Sequence, residues 1–345
     1  VESTSSDDCC YNTQRRFNHF VLLHKHIAKE FPGSIIAPLP KDQVFGRFKP
    51  AFIESRMRGL EEFLKKALND KDISHSHCWK EFFTSDIFTA ECLEKNTADG
   101  VEAGHGPSSW LSGMKKMAAP VLANPHLDTN DVDNQMLELE NYIHTYSKLM
   151  NRLATTAGDL SDRVEQNAVI LKSFSEVCTA IGSNCEDEDD EFIRQFGLAM
   201  GSLSLGISRN ADEQVIRVKE PFEEQSRALS SIKSALRRQN SLKKTFVACA
   251  AEQQLCENAE QKDPSNASKV DANRKSRAAL LTAKNEYLEV SGVLLENFTC
   301  IKEARIYEIL ATSEAFCEIE IAACEKQGHV LADILDELTY DDDPA

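Results

Sequence analysis

Apolar residues between positions 132 and 181 recur in steps of seven and fall on two columns. A strand would alternate with period two, whereas a strict seven-residue repeat is typical of a helix in a coiled coil. At 1.5 Å per residue this stretch would form a rod of about 75 Å, longer than a compact domain needs. Asn167 is the one exception among fifteen positions: Val132, Leu139, Tyr146, Leu153, Leu160, Asn167, Phe174 and Ile181, with Met136, Ile143, Met150, Ala157, Val164, Leu171 and Cys178.

Two more long helices are predicted after this first one. An acidic segment at 182–190 interrupts the repeat, and a second helix is expected from 191 to about 261. Pro221 lies within it and should kink it, because proline lacks the N–H of the helical hydrogen bond. After a turn at 262–266, a third helix is expected from about 268 to 338. Short turns between helices that each carry one apolar seam predict an antiparallel bundle.

The first third of the chain predicts shorter elements. A helix that begins near Gln14 should end at Phe31, because Pro32 and Gly33 prevent its continuation. A stiff, proline-rich segment at 35–41 follows. An amphipathic helix is then expected at 52–68, and a short aromatic helix at 79–88.

Composition suits a folded helical protein of two or three domains. The chain has 345 residues, 41% hydrophobic content and a net charge of −17. No apolar run is long enough to span a membrane, and the first residues do not resemble a signal peptide. Eleven scattered cysteines without a CxxC pair favour reduced thiols. Neither a phosphate-binding glycine loop nor a nucleophile motif is present, so the sequence predicts no enzyme, no metal site and no cofactor.

Positive charge is concentrated in two islands. Residues 14–66 and residues 231–284 each hold eleven Lys or Arg against five Asp or Glu, a net of +6. Such islands on an acidic chain are typical of a protein that presents selected faces to an anionic surface. The alternative is ordinary fluctuation of charge along a helical chain.

Three motifs in the N-terminal third resemble a phox-homology (PX) domain of the sorting-nexin type. They are Arg-Arg-Phe at 15–17, Phe-Pro-Gly to Pro-Leu-Pro-Lys at 31–41, and Phe-Ile-Glu-Ser-Arg at 52–56. The resemblance covers about residues 11–89 and implies binding of phosphatidylinositol 3-phosphate. By family position the headgroup residues would be Arg16 for the 3-phosphate, Phe17 against the inositol ring and Arg56 for the ring hydroxyls. Lys41, one residue before the position of the family's lysine, is the candidate for the 1-phosphate. A planar guanidinium suits this role, since it can bind phosphate through two hydrogen bonds.

Two features depart from the PX pattern. Asp42 occupies the position at which the family carries its 1-phosphate lysine, and an acid there repels phosphate. About thirteen residues precede the Arg-Arg motif, too few for the strands of a whole PX domain, so we expect an N-terminally incomplete domain. By the same resemblance, Val44 and Phe45 would dip into the bilayer.

Residues 90–127 are expected to be a linker with a short amphipathic helix. Trp110, Leu111 and Met114 share one face, opposite Lys115 and Lys116. Such a helix either inserts into the membrane interface or docks on the coiled coil as a clamp.

The three long helices, following a PX-like domain, resemble a BAR domain, which in that family forms a crescent-shaped dimer. The turn between the second and third helices would be the tip of the crescent. The basic residues predicted for this tip are Arg237, Arg238, Lys243, Lys244, Arg274, Lys275 and Arg277.

The predicted fold is therefore mainly α: an incomplete α+β PX domain at 1–89, the linker at 90–127, and a three-helix antiparallel BAR domain at 128–340. The resemblance implies a cytoplasmic sorting nexin, peripheral on endosomal membranes, that binds phosphoinositides and senses or generates curvature for protein sorting. The expected partners are phosphoinositide membranes, a second BAR-domain sorting nexin in a homo- or heterodimer, and coat or cargo subunits, with no nucleic acid. The alternative is a degenerate PX domain without lipid affinity on a dimeric coiled-coil scaffold.

Overall fold

The computed structural model describes residues 13–42, 49–89, 129–184 and 188–339. Within these ranges every regular element is a helix and no strand occurs, which confirms the predicted mainly α fold. Val44 and Phe45 lie outside these ranges, as do Trp110, Leu111 and Met114. The predicted insertion into the membrane and the predicted linker helix therefore stay predictions. None of the described helices has a stretch long and apolar enough to cross a membrane.

The N-terminal segment comprises residues 13–89, and its described residues form four short helices. They are α1 (Phe17–Glu30), α2 (Pro50–Asn69), α3 (Lys71–Ser74) and α4 (His77–Thr84). The side chain of Asp70 accepts hydrogen bonds at the start of α3, and that of Ser76 does so at the start of α4, as N-cap residues commonly do.

An aromatic core holds these four helices together. Phe20 packs edge-to-face on Phe82 with ring centroids 5.0 Å apart, and Phe82 packs in the same way on Phe88 at 5.2 Å. Phe63 and Trp79 are buried in the same cluster. Each such ring removes a large apolar area from water, so this small segment has a core of its own.

Three long helical segments make up the rest. The first is α5 (Thr129–Ser183). The second comprises α6 (Glu188–Gln214), a π-helical stretch (Val215–Lys219) and α7 (Glu220–Lys262), and the third is α8 (Ala267–Thr339). The predicted bounds differ from these by a few residues. The described residues divide into two compact units: unit 1 lies within Val1–Tyr146 and Arg227–Lys302, and unit 2 within Ser147–Ser226 and Glu303–Ala345.

In unit 1 the register of the long helices follows from a few pairs. Gln239 of α7 donates to the hydroxyl of Ser291 of α8 at 3.0 Å, and Phe246 stacks on Tyr287 with centroids 5.8 Å apart. As the residue number rises along α7 it falls along α8, so these helices run antiparallel. Tyr287 also donates to Asp133 of α5.

Unit 2 repeats the antiparallel arrangement with smaller residues. The hydroxyl of Ser175 on α5 donates to the carbonyl of Gly197 on α6 at 2.6 Å, and that of Ser204 on α6 donates to the carbonyl of Ala168 at 2.7 Å. Small residues let the two backbones approach closely, and a Cβ at Gly197 would lie 2.6 Å from the backbone nitrogen of Thr179. Close backbone packing therefore joins α5 and α6.

The π-helical stretch lies directly before Pro221. The N–H of Glu220 bonds to the carbonyl of Val215, five residues back, which is the π pattern. Pro221 has no N–H to offer the preceding turn, so a local change of helical winding at this point has a clear cause. The sequence predicted a kink here, and the structure shows altered winding.

The prediction for Asn167 is wrong. We expected its side chain to meet a polar partner on the second or third long helix, but it is exposed and has no hydrogen bond within the described ranges. Its column is buried at Val132 and Leu139, yet Phe174 is 48% exposed. A straight helix drifts about 20° per heptad from a strict seven-residue repeat, so five heptads rotate this column by about 100° out of the seam.

Because α5 packs closely on α6, replacing each of two glycines of α6 by alanine should change the free energy of unfolding in opposite directions. Gly197→Ala places a Cβ 2.5 Å from the Thr179 hydroxyl and should lower the free energy of unfolding by about 1–3 kcal/mol. Gly206→Ala meets nothing within 4 Å and should stabilise the helix by up to about 1 kcal/mol. Urea unfolding followed by circular dichroism measures both, and equal effects would contradict the close packing.

Candidate functional site

Arg15, the first arginine of the Arg-Arg-Phe motif, has a structural role. Its Nε donates to the carbonyl of Phe82 at 2.8 Å, and its Nη2 donates to the carbonyl of Ser85. The guanidinium also lies over the rings of Phe82 and Phe88, 5.6 and 5.9 Å from their centroids. Arg15 therefore ties the start of α1 to the end of α4.

Arg16 points the other way. It is the N-cap residue of α1, its side chain is exposed, and within the described ranges its guanidinium makes no ion pair. Its backbone N–H donates to Nδ1 of His19 at 3.4 Å. Burial, then the charges of Arg15 and Arg16, lower the pKa of His19. An exposed guanidinium at the start of a fourteen-residue helix is well placed for an anion, because the helix dipole attracts negative charge there.

Arg56 lies between two aromatic rings. Its guanidinium carbon is 4.2 Å from the ring centroid of Phe17 and 4.4 Å from that of Phe52. This is a cation–π arrangement on both faces, and it leaves the side chain 19% exposed. Phe17 and Arg56, two of the four residues predicted for the headgroup, are therefore in contact. A third, Lys41, contacts the same guanidinium through its backbone carbonyl.

The edge of the Arg56 guanidinium meets the segment that carries Lys41. Nη2 donates to the carbonyl of Lys41 at 3.2 Å and approaches a carboxylate oxygen of Asp42 at 3.4 Å. Asp42 is 80% exposed, so this ion pair is weak and open to competition. The carboxylate nevertheless occupies one edge of the Arg56 guanidinium.

Phe52 is a site residue that the sequence reasoning did not assign. The signal was available, because positions 52 and 56 are four apart on a helix and therefore share a face. Phe17 lies against Arg56, and its expected contact with an inositol ring stays a prediction. Arg15 was also missed, since its role depends on carbonyls 67 and 70 residues away in sequence.

Arg238 does not belong to an exposed tip, which corrects its assignment. Its Nε donates to the carbonyl of Pro32 at 3.0 Å, and its Nη2 donates to that of Ser34 at 3.1 Å. Burial lowers its pKa. It also lies 24 residues before Lys262, the last residue of α7, which corresponds to about 36 Å of helix. The segment after α1 covers this arginine.

Its neighbours on α7 differ in exposure. Arg237 and Lys244 are exposed, whereas Lys243 forms an ion pair of 3.0 Å with Asp133 of α5. Burial acts to raise the pKa of Asp133, but hydrogen bonds from Tyr287 and Lys243 leave it below its ordinary value. Lys243 therefore helps to join α5 and α7, and is not a freely projecting cation.

The remaining basic residues follow the turn between α7 and α8. Arg274 and Lys275 both pair with Asp271, at 2.6 and 2.8 Å, yet their side chains stay 78% and 75% exposed. Arg277 is exposed as well. This group lies within eleven residues of the start of α8, so it is the part of the predicted basic set that is near the turn.

Comparison with known proteins supports both halves of this fold. A family model described as PX domain matches residues 3–86. The solved SNX-BAR Mvp1 tetramer aligns over 93% of this chain and 88% of its own, with a TM-score of 0.56 and 14% sequence identity. That likeness shows the fold of a PX region followed by a long helical BAR domain.

The relatives by sequence are sorting proteins. Vacuolar protein sorting-associated protein vps5 of Schizosaccharomyces pombe is 23% identical over 92% of this chain and 57% of its own length. Vacuolar protein sorting-associated protein 5 of Saccharomyces cerevisiae is 22% identical over 66% of this chain and 38% of its own length. Sorting nexin 1 of Arabidopsis thaliana is 22% identical over 64% of this chain and 56% of its own length. The chain spans about half the length of the curated relatives it matches. A PX-domain match at its start and the fold of a PX region followed by a BAR domain make this chain similar to the PX–BAR sorting nexins.

Of the two arginines of the motif, we expect Arg15 to contribute to stability and Arg16 to contribute little to it. Arg15→Ala removes two hydrogen bonds from a charged donor and should lower the free energy of unfolding of the N-terminal segment by about 2 kcal/mol. Arg16→Ala should change it by less than about 0.5 kcal/mol. Urea unfolding followed by Trp79 fluorescence, in a Trp110→Phe background, measures both. An unstable Arg16→Ala variant would contradict this division.

Proposed function

We propose that this chain is a peripheral membrane protein of endosomal protein sorting, which binds a 3-phosphoinositide through its N-terminal segment and dimerises through its long helices. The single observation that carries the lipid-binding half is the exposed Arg16 guanidinium at the start of α1. Similarity to sorting proteins supports this setting, and coat or cargo subunits are the partners expected in it. We place the protein in the cytoplasm, on the outer face of endosomes.

The site has two cationic side chains, and only one of them is held between aromatic rings. Arg16 projects from the helix start, where it can form a bidentate pair with phosphate oxygens. Arg56 is held by Phe17 and Phe52, so it presents a fixed guanidinium edge at little cost in side-chain entropy. A headgroup that displaced Asp42 from Arg56 would gain both cations.

The lipid site predicts a specific loss of membrane binding. Arg16→Ala should weaken flotation with phosphatidylcholine vesicles containing phosphatidylinositol 3-phosphate by at least about tenfold, equivalent to about 1.4 kcal/mol. Lys25→Ala is the matched control, because Lys25 is an exposed cation of the same helix outside the site. Equal flotation of the wild type on vesicles with and without the 3-phosphoinositide would contradict the proposal.

A second candidate function is favoured by the Asp42–Arg56 pair. If Asp42 permanently replaces the phosphate, the N-terminal segment has no lipid affinity and the chain acts as a dimeric scaffold. Asp42→Asn separates the two functions, since it removes the competing charge. Tighter vesicle binding by this variant supports a working lipid site, whereas no binding by either form supports the scaffold.

The dimer is proposed from an apolar face of unit 2 that the described residues leave uncovered. The buried face of α5 in this unit carries small residues, such as Ala154 and Ala168. Large apolar side chains occupy a different face, and their exposure has no explanation in the isolated chain. A second copy would continue the coiled coil on that face. The residues are Leu160 at 41% exposure, Ile170 at 68%, Phe174 at 48%, Val177 at 59% and Ile181 at 48%.

Curvature sensing would depend on the exposed cations near the turn. Arg274, Lys275 and Arg277 project close to the start of α8, and each such cation near an anionic membrane surface contributes about 1 kcal/mol. In a dimer this group is present twice. Membrane affinity would then depend on whether both copies reach the surface together.

The apolar face predicts a shift in oligomeric state. Ile170→Asp places a charge in the centre of the proposed dimer contact and should raise the dimer dissociation constant at least about a hundredfold, close to 2.7 kcal/mol. Lys172→Asp is the control, since two residues rotate the side chain by about 200° to another face. Sedimentation velocity measures both. A wild-type monomer, or an Ile170→Asp variant that remains a dimer, would contradict the proposal.

A further inference from the structure

A cavity of about 230 Å³ lies in unit 1, where α1 and the segment after it pack on α7. One wall is apolar and consists of Ala28, Ile36, Pro38 and Leu39. The other wall comes from α7, whose lining positions are spaced three, one, three and four residues apart and therefore lie on one side of the helix. They are Arg227, Ser230, Ser231, Ser234 and Arg238. The cavity therefore has a hydrocarbon side and a polar, cationic side.

Arg238 brings a positive charge into this cavity. Two of its N–H groups are satisfied by the carbonyls of Pro32 and Ser34, which are neutral. Across the described ranges no carboxylate comes within ion-pair distance of it. Burial lowers the pKa of Arg238, although an arginine keeps its proton under all ordinary conditions. A half-buried cation without a counter-charge has lost part of its hydration, and an anion in the cavity would offset that cost.

Further polar groups line the same space. The Nε2 atom of His24 is buried and has no hydrogen-bond partner in the described structure. Burial lowers the pKa of His24. A hydrogen bond to the backbone of Ala37 acts in the opposite direction, and the charge of Arg238 lowers the pKa further. The hydroxyls of Ser230 and Ser231 and the guanidinium of Arg227 complete the lining.

We propose that this cavity is a binding site for the phosphate group of a small phosphate monoester. The guanidinium of Arg238, with that of Arg227, neutralises the phosphate charge, and the serine hydroxyls donate to its oxygens. The apolar wall takes the carbon part of the ligand. The volume lies below the roughly 300 Å³ at which pockets for drug-sized ligands begin, so the ester is small.

This site is separate from the Arg16 and Arg56 group. The cavity lies on the Ile36 to Leu39 part of the proline-rich segment, whereas Arg56 contacts Lys41 and Asp42 at its end. A ligand in the cavity would touch α1 and α7 at the same time. Occupancy would therefore strengthen the attachment of the N-terminal segment to the long helix, whatever the lipid affinity of the first site.

The test uses inorganic phosphate and glycerol 3-phosphate on the full chain, measured by titration calorimetry and by the melting temperature. Both probes should bind the wild type and raise its melting temperature. Ser231→Asp places a carboxylate in the cavity lining, between the positions of Arg227 and Arg238 on α7, and should weaken binding of both probes at least about tenfold, or about 1.4 kcal/mol. Ser241→Asp, on an exposed position of the same helix, is the control and should bind like the wild type.

Arg238→Gln should also abolish binding, but it removes contacts to Pro32 and Ser34 and can unfold the segment. Ser231→Asp avoids this problem, because its new charge replaces the missing anion and should keep or raise the melting temperature. Absence of binding to the wild type, or equal binding by wild type and Ser231→Asp, overturns the proposal.

Two sources of the phosphate are distinguished by a vesicle experiment. Phosphatidylcholine vesicles with a minority of phosphatidic acid present the same monoester on a membrane. Reduced flotation of Ser231→Asp with these vesicles assigns the site to a lipid headgroup. Unchanged flotation, with lost binding of glycerol 3-phosphate, assigns it to a soluble ester. Arg16→Ala should leave glycerol 3-phosphate binding intact, so failure of the first site and failure of this one remain distinguishable.

Discussion

A helix of 3.6 residues per turn cannot keep a strict seven-residue apolar column in one seam over fifty residues. In α5 the column that is buried at Val132 and Leu139 in unit 1 turns outward by Phe174 in unit 2. Small residues take over the buried face there, and they let α6 approach closely at Gly197. The same constraint therefore explains the tight intrachain packing of unit 2 and its uncovered apolar face.

Four arginines of this chain show how environment divides one chemistry into separate roles. Arg15 donates to carbonyls and holds two short helices together, while Arg16 beside it is exposed. Arg56 is clamped by two aromatic rings, and Arg238 is covered by the segment after α1. Arg15 spends its guanidinium on contacts within the fold. Arg16 is exposed, and Arg56 and Arg238 are fixed in place but retain N–H groups that a ligand can use.

Within unit 1 the N-terminal segment contacts the long helices at the Phe31-Pro32-Gly33 turn, where a Cβ on Gly33 would lie 3.1 Å from the side chain of Val293. Arg238 adds two hydrogen bonds to backbone carbonyls of the same region. The cavity with cationic lining lies beside these contacts, so the anion proposed to bind there would act on the attachment itself. Under the two proposals together, ligand binding would be linked to the placement of a membrane-binding segment.

The sequence by itself determined the long helices, the short aromatic helices and the motifs that carry Phe17 and Arg56, which the fold brings into contact. Periodicity and turn residues are local signals, so they can be recognised in the sequence without knowledge of the fold. Only the tertiary structure decided that Arg15 is structural, that Asp42 meets Arg56, that Asn167 is exposed and that Arg238 is covered. Those outcomes depend on partners from 14 to 206 residues away and on the accumulated rotation of a long helix, and neither is written in the local pattern.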